Sequence, residues 1–299
     1  MALLCSPRAA VSERFPTSPG VSLQLVHFYA FGRHLYGQLE GDEIAVFDGN
    51  PFDGQLTPTG QTISADVVHI LPPCRPSKIV CVGSNYRLHC VEMGRPIPTV
   101  PRLFLKPPSA LVAHEAAIVI PPGVGRVDFE GELAVVIGRR MTRVAEEDVL
   151  SHVLGLSILN DVTARDIQNA DVQFTRAKGM DTFSPFGPGI TTGLDPLDLR
   201  LVTRVNGVVK QDSRTSDMIF PVRTLLSFIS HYMTLEPGDV VATGTPSGVG
   251  AIAPGDEVAI EIEGVGTLRN PVIALEDAPR PGPGGAPGSA PRAQGPGHE

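Results

Sequence analysis

The chain has 299 residues, of which 42% are hydrophobic, enough apolar material for one large domain or one domain with a small appendage. A formal net charge of -8, without a basic stripe, argues against a nucleic-acid surface, because phosphate binding is driven by clustered Lys and Arg. No run reaches the roughly 18 uninterrupted apolar residues that a membrane helix needs.

Residues 1–22 are read as a disordered extension. Arg8, Glu13 and Arg14 interrupt any apolar signal core, so the expected location is cytoplasmic. Cys5, Cys74, Cys81 and Cys90 form no C-x-x-C pair and lack histidines at zinc-site spacing, which reads as reduced structural thiols. Alternation over 24–30, 34–40 and 43–47, with a turn at Gly41-Asp42, predicts a small N-terminal β-subdomain spanning 23–71.

The cluster Pro72-Pro73-Cys74-Arg75-Pro76 separates that meander from a main domain over 72–277, opened by a strand at 78–82. Helices are expected at 146–149, around 164–170, and at 221–233, the last with an apolar face from Val222, Leu225, Leu226 and Ile229. Alternation over 202–211 around Asn206-Gly207 signals a hairpin, and strands follow at 239–243, 257–262 and 266–273. From Ala278 onward the Pro/Gly-rich composition is that of a disordered tail, 278–299. The fold class is mainly β with peripheral helices, α+β.

Chemistry concentrates in Asp128-Phe129-Glu130-Gly131-Glu132-Leu133-Ala134-Val135-Val136-Ile137. Residues i and i+2 of a strand share a face, so Glu130 and Glu132 aim two carboxylates at one spot at the mouth of an apolar strand. Repulsion and desolvation both oppose their ionisation, which calls for a cation between them. The apolar run 153–159 ends in Asn160-Asp161 and supplies a third carboxylate. Three oxygen donors favour Mg²⁺, Mn²⁺ or Ca²⁺ over zinc. The residues alone leave open a salt-bridge network with Arg139 or Arg140.

Six segments, in order, carry a resemblance: Gly83-Ser84-Asn85-Tyr86-Arg87-Leu88-His89-Cys90-Val91-Glu92-Met93-Gly94, Phe104-Leu105-Lys106-Pro107-Pro108, Asp128-Phe129-Glu130-Gly131-Glu132, Asn160-Asp161-Val162-Thr163-Ala164-Arg165-Asp166, Lys178-Gly179-Met180-Asp181-Thr182-Phe183 and Thr243-Gly244-Thr245-Pro246-Ser247-Gly248-Val249-Gly250. Over 78–273 the chain resembles the fumarylacetoacetate hydrolase family, in its compact single-repeat branch. The resemblance implies a mixed β-roll core, a divalent metal, usually Mg²⁺ with Mn²⁺ or Ca²⁺ as alternatives, a homodimer, and a small 2-oxo acid as substrate.

Carried over by position, the resemblance makes Glu130, Glu132 and Asp161 metal ligands, and Lys178 a catalytic cation in a Gly-rich loop. It makes Tyr86, Lys106, Arg165, Gln168 and Thr245 substrate-binding, with Thr245 presenting its hydroxyl and backbone N–H groups to a substrate carboxylate. Arg165 and Gln168 would face the same way on a helix, although Arg165 could instead pair with Asp161 and Asp166. His89 and Glu92, spaced i, i+3 on a short helix that related hydrolases use as a lid, form a general-base pair. The expected reaction is C–C hydrolysis of an acylpyruvate-type 2,4-dioxo acid through a metal-stabilised enolate. The alternative is a lyase or isomerase on the same fold: a 2-hydroxyhepta-2,4-diene-1,7-dioate isomerase, an oxaloacetate decarboxylase or a tautomerase. Decarboxylation needs no activated water, so the His89 and Glu92 pair favours hydrolysis. Gly244, Gly248 and Gly250 are not read as a nucleotide loop, because a strand follows where a helix would have to begin. There is no Gly-x-Ser-x-Gly elbow.

Overall fold

The computed structural model describes residues 22–279; the disordered segments expected before and after lie outside the described residues, apart from Ser22, Ala278 and Pro279. Cys5 lies outside them too, while Cys74, Cys81 and Cys90 are free and buried.

The scaffold is a 12-stranded mixed sheet facing a 5-stranded one. Its centre is Gly131–Ile137, every residue of which is buried. Alternate side chains serve two cores. Leu133, Val135 and Ile137 pack with Leu201, Ile260 and Leu268 of the second sheet, while Ala134 and Val136 pack with Leu25, Phe47 and Phe186. Burial on both faces explains the unbroken apolar run, where a half-exposed strand would alternate.

Gly131–Ile137 is flanked by antiparallel Val153–Asn160 and by Val240–Ala242; beyond the latter, Ile79–Val82 runs parallel to Val240–Ala242 and Leu103–Lys106 closes the edge. In the other direction Ser184–Thr191 pairs with Gln24–Ala30, so the N-terminal meander prolongs the same sheet. The meander comprises Gln24–Ala30, Arg33–Glu40, Glu43–Asp48 and a fourth strand, Thr57–Ser64, around its own cluster of Val26, Phe28, Leu35, Ile44 and Val46.

The second sheet contains the expected hairpin, Arg200–Val205 and Val208–Arg214. Asn206 and Gly207 both have positive φ, 52° and 77°, the turn whose twist matches antiparallel strands. The long helix is Val222–Tyr232, with Val222, Leu225, Leu226 and Ile229 buried as its periodicity predicts. Two expectations are corrected. Residues 146–148 form a turn and the helix is a short 3-10 segment, Val149–His152, because Val149 is buried and the chain passes directly into the strand at Val153. Lys178 ends a short helix, Thr175–Lys178, and does not lie in a loop; Gly179 follows it. No helix of the described residues is long and apolar enough to cross a membrane.

Candidate active site

Strand pairing assembles the acids. Gly131 lies opposite Asn160, so Glu130 and Glu132 sit beside the chain as it leaves Val153–Asn160 toward Asp161. The Asp161 N–H donates to the Glu130 carbonyl at 2.8 Å, and the Glu130 N–H donates to Asn160 Oδ1 at 2.9 Å. Glu130, Glu132 and Asp161 are all buried, and each offers an oxygen within 4.8 Å of the others.

Cations answer two of these carboxylates. Lys178 Nζ donates to Glu130 at 2.8 Å and also to Asp161. Arg165 reaches Glu130, donates from Nε to Asp128 at 2.7 Å and from Nη1 to Gln168 Oε1 at 2.9 Å. Burial opposes ionisation of Glu130, but Lys178 and Arg165 outweigh it and hold the carboxyl well below its ordinary range. Burial also opposes the Lys178 charge, yet Asp161 and Glu130 more than offset this and keep the ammonium protonated.

Glu132 differs. Among the described residues it forms no ion pair; its Oε2 accepts the Gly244 N–H at 2.9 Å. Burial, followed by Asp161 and Glu130, pushes its carboxyl well above the ordinary range. A buried carboxylate without a cation is a chemical demand that a divalent ion meets, and an all-oxygen donor set suits a hard one. The residues present therefore fit a divalent metal held by Glu130, Glu132 and Asp161.

The acids line a cleft of about 310 Å³ together with Lys178, Arg165, Gln168, His89 and Thr245. His89 is 4% exposed, and its Nδ1 lies 3.0 Å from Glu92 Oε2. The helix carrying both, Arg87–Glu92, is tied down because Glu92 Oε1 accepts the Gly248 N–H at 2.9 Å. Glu92 lies behind the imidazole, outside the cleft lining.

Three assignments are corrected. Tyr86 is 1% exposed in the core with Val80 and Phe129; its hydroxyl is buried without a partner and does not line the cleft. Lys106 shares a strand face with Phe104, which lines the cleft, but reaches deeper: its side chain is fully buried and its Nζ donates to Asp161 Oδ1 at 2.6 Å, Phe183 O at 2.8 Å and Val162 O at 3.3 Å. Lys106 thus anchors Asp161 and does not line the cleft. Thr245 lines the cleft, but its hydroxyl donates to Gly131 O at 2.9 Å and accepts from Gln211 Nε2 at 2.8 Å, so the hydroxyl half of its expected role is corrected. Of the pairings left open, Arg165 chooses Asp128 and Glu130, and Arg140 pairs with Glu236 at the surface.

The sequence reading gave no role to the side chains of Arg95, Phe104 and Phe174, which line the cleft. The two rings meet edge-on at 5.6 Å, and Lys178 Nζ lies 5.0 Å from the Phe104 ring centre. Arg95 had one legible signal, Gly94 at φ 61°, which ends the His89 helix in the left-handed conformation and turns the next residue inward. Gly83, Ser84, Arg95, Phe104 and Phe174 also border an outer chamber of about 570 Å³, completed by Arg102, Leu103, Val172 and Gln173.

A buried Glu132 with no ion-pair partner among the described residues lines the same cleft as an imidazole oriented by Glu92, which is the equipment of an enzyme site on a mixed, mainly β fold. Comparison with known proteins supplies the family. The chain belongs to the fumarylacetoacetate hydrolase family: residues 78–273 match the family described as Fumarylacetoacetate (FAA) hydrolase C-terminal, and residues 28–73 match one described as Rv2993c-like, N-terminal. An uncharacterised protein of Archaeoglobus fulgidus is 47% identical, covering 84% of this chain and 97% of its own. The bovine mitochondrial oxaloacetate tautomerase FAHD2A is 38% identical over 88% of this chain and 95% of its own. Among solved structures, a 2-hydroxyhepta-2,4-diene-1,7-dioate isomerase from Mycobacterium marinum superposes with a TM-score of 0.79 at 43% identity, covering 85% of this chain and 99% of that one. The maleylpyruvate hydrolase of Sphingobium, solved with manganese and pyruvate, gives a TM-score of 0.71 at 30% identity, over 84% and 99%.

Proposed function

We propose that this chain is a divalent-metal-dependent tautomerase or isomerase of short 2-oxo acids, moving a proton at the carbon next to the 2-oxo group. The observation that carries the reading is His89 in the cleft beside the acid cluster, held through Nδ1 by Glu92 so that Nε2 is left for proton transfer. Relatives that bear tautomerase and isomerase names, at 38% and 43% identity, support it.

A divalent cation on Glu130, Glu132 and Asp161, Mg²⁺ in this reading with Mn²⁺ as a substitute, would supply Lewis-acid polarisation of the 2-oxo group. The chain does the rest. His89 takes the proton from carbon 3 and returns it to oxygen or to another carbon. Lys178, kept charged by its two carboxylates, faces the oxyanion that develops, where a fixed ammonium in a water-poor site stabilises most. Arg165 uses three N–H groups on Asp128, Glu130 and Gln168, leaving two of the guanidinium's five for a substrate carboxylate. Arg95 and the outer chamber receive the remainder of the substrate.

The same His89 and Glu92 pair could activate water, which favours a second reading: hydrolysis of an acylpyruvate to an acid and pyruvate. The 30% identical maleylpyruvate hydrolase supports it. Purified protein with Mg²⁺ or with EDTA separates the two. Loss of enol absorbance from oxaloacetate without pyruvate release supports the tautomerase; stoichiometric pyruvate from acetylpyruvate or fumarylpyruvate supports the hydrolase. Neither signal from wild type, with His89→Ala as the blank, overturns both. A homodimer and a cytoplasmic location belong to this reading, and light scattering and cell fractionation test them.

A further inference from the structure

Gln211 lies outside the cleft lining, yet its side chain bonds to two of the segments that carry the site. It is 1% exposed, on Val208–Arg214, directly across the hairpin from Thr203. Its Oε1 accepts the N–H of Gly131, the residue between the two glutamates, at 3.1 Å. Its Nε2 donates to Thr245 Oγ1 and to Pro246 O, each at 2.8 Å. Thr245 Oγ1 in turn donates to Gly131 O at 2.9 Å, so both backbone polar groups of Gly131 are held, one by Gln211 and one by a hydroxyl that Gln211 orients.

The contacts continue. The loop from Gly244 to Gly248 gives one N–H to Glu132 and another to Glu92, the residue that orients His89. It is pressed on the strand of Gln211: a Cβ at Gly248 would lie 2.0 Å from Lys210 O, and one at Gly131 would lie 2.4 Å from Thr203 Oγ1. Only backbone fits at either point.

We propose that Gln211 is a positioning residue that fixes the metal-binding carboxylates and the His89 and Glu92 pair relative to one another through one side-chain amide. The metal half of this statement rests on the function proposed above; the loop half does not. A glutamine serves where a hydrophobic residue cannot, because it accepts from one segment and donates to the other, and losing it would strip a hydrogen bond from each of three buried groups, the Gly131 N–H, Thr245 Oγ1 and Pro246 O.

The test compares wild type with Gln211→Met, which keeps length and loses the hydrogen bonds, and with Thr203→Val, which alters the same wall at a hydroxyl that has no partner. Two quantities are measured in full-length protein: Mn²⁺ affinity by titration, and amide hydrogen exchange of peptides covering 87–95 and 244–250. Q211M should weaken Mn²⁺ binding by about tenfold, as loss of a group that orients metal ligands does, and speed exchange in both peptides, while T203V matches wild type. If Q211M fails to fold, Thr245→Val removes the bridging hydroxyl with Gln211 retained and should move both readouts the same way. A folded Q211M with Mn²⁺ affinity within about twofold of wild type and unchanged exchange overturns the proposal. Should wild type bind no Mn²⁺, the metal reading falls, and exchange at 244–250 and 87–95 still decides whether Gln211 links the loop to the helix.

Discussion

Glu92 holds the His89 ring with one carboxylate oxygen, 3.0 Å from Nδ1, and grips the Gly248 N–H at 2.9 Å with the other. One side chain therefore sets the tautomer of the imidazole and seats its helix against the loop that also reaches Glu132. Glu92→Gln keeps an acceptor for Gly248 but presents an amide donor to Nδ1, which forces the proton onto Nε2. The expected result is a fall in kcat of about 100-fold or more with Mn²⁺ affinity unchanged. Steady-state kinetics and a metal titration check it; an active E92Q would remove His89 from the role of base.

Glu132 carries the strongest conflict between stability and chemistry. Glu132→Gln removes a buried carboxyl group that has no cation partner and leaves an oxygen for the Gly244 N–H. Without metal, E132Q should melt at a higher temperature than wild type, since an unpaired buried ionisable group opposes folding. With saturating Mn²⁺ the order should reverse, because the variant binds the ion at least about 100-fold more weakly and forgoes ligand stabilisation. Melting curves with EDTA and with Mn²⁺ give both answers.

Lys106 tests the corrected assignment. Its ammonium satisfies Asp161 and two backbone carbonyls in a place without solvent, so Lys106→Met should cost about 3 kcal/mol or more in urea unfolding. A residue that merely touched substrate would raise KM and leave the unfolding midpoint unmoved.

His27 supplies a pH dependence far from the cleft. Burial, with smaller effects from His34 and Arg75, lowers its pKa to about 4 although its Nδ1 meets Pro72 O at 2.8 Å. Between pH 6.5 and 4 the unfolded chain binds a proton at His27 that the folded chain refuses, so stability is present above pH 6.5 and lost as pH falls through that window. The shift corresponds to roughly 3 kcal/mol. Urea unfolding at several pH values should show this loss in wild type, and His27→Gln should reduce it, leaving the smaller part that His34 and His114 contribute with the same sign.

The centre of the site was legible because its signal is local. Two acids spaced i, i+2 before an apolar strand, and a third acid at the end of another, are physical anomalies that one chain displays without its fold. The hairpin at Asn206-Gly207 was legible for the same reason. Gln211 was not: its partner Gly131 is 80 residues away, and only the packing of the two sheets makes them neighbours. Lys106 was misplaced because its role was carried over from its place in a matched motif, and such a match says nothing of how deep the side chain reaches. The helix expected at 146–149 failed where three acids in a row, Glu146-Glu147-Asp148, give no apolar stripe to dock.

The two chambers of the cleft rest on parts of the fold with different freedom to vary. The acids sit on or immediately beside the ends of Gly131–Ile137 and its neighbour Val153–Asn160 in the interior of the 12-stranded sheet, where any change disturbs two cores at once. The outer chamber is bounded by the sheet's edge strand Leu103–Lys106 and by the segment Val172–Phe174, where Val172 is 93% exposed. Sequence drift can therefore remodel the outer chamber while the buried acids stay in place, in keeping with one fold whose relatives are named for a tautomerase, an isomerase and a hydrolase.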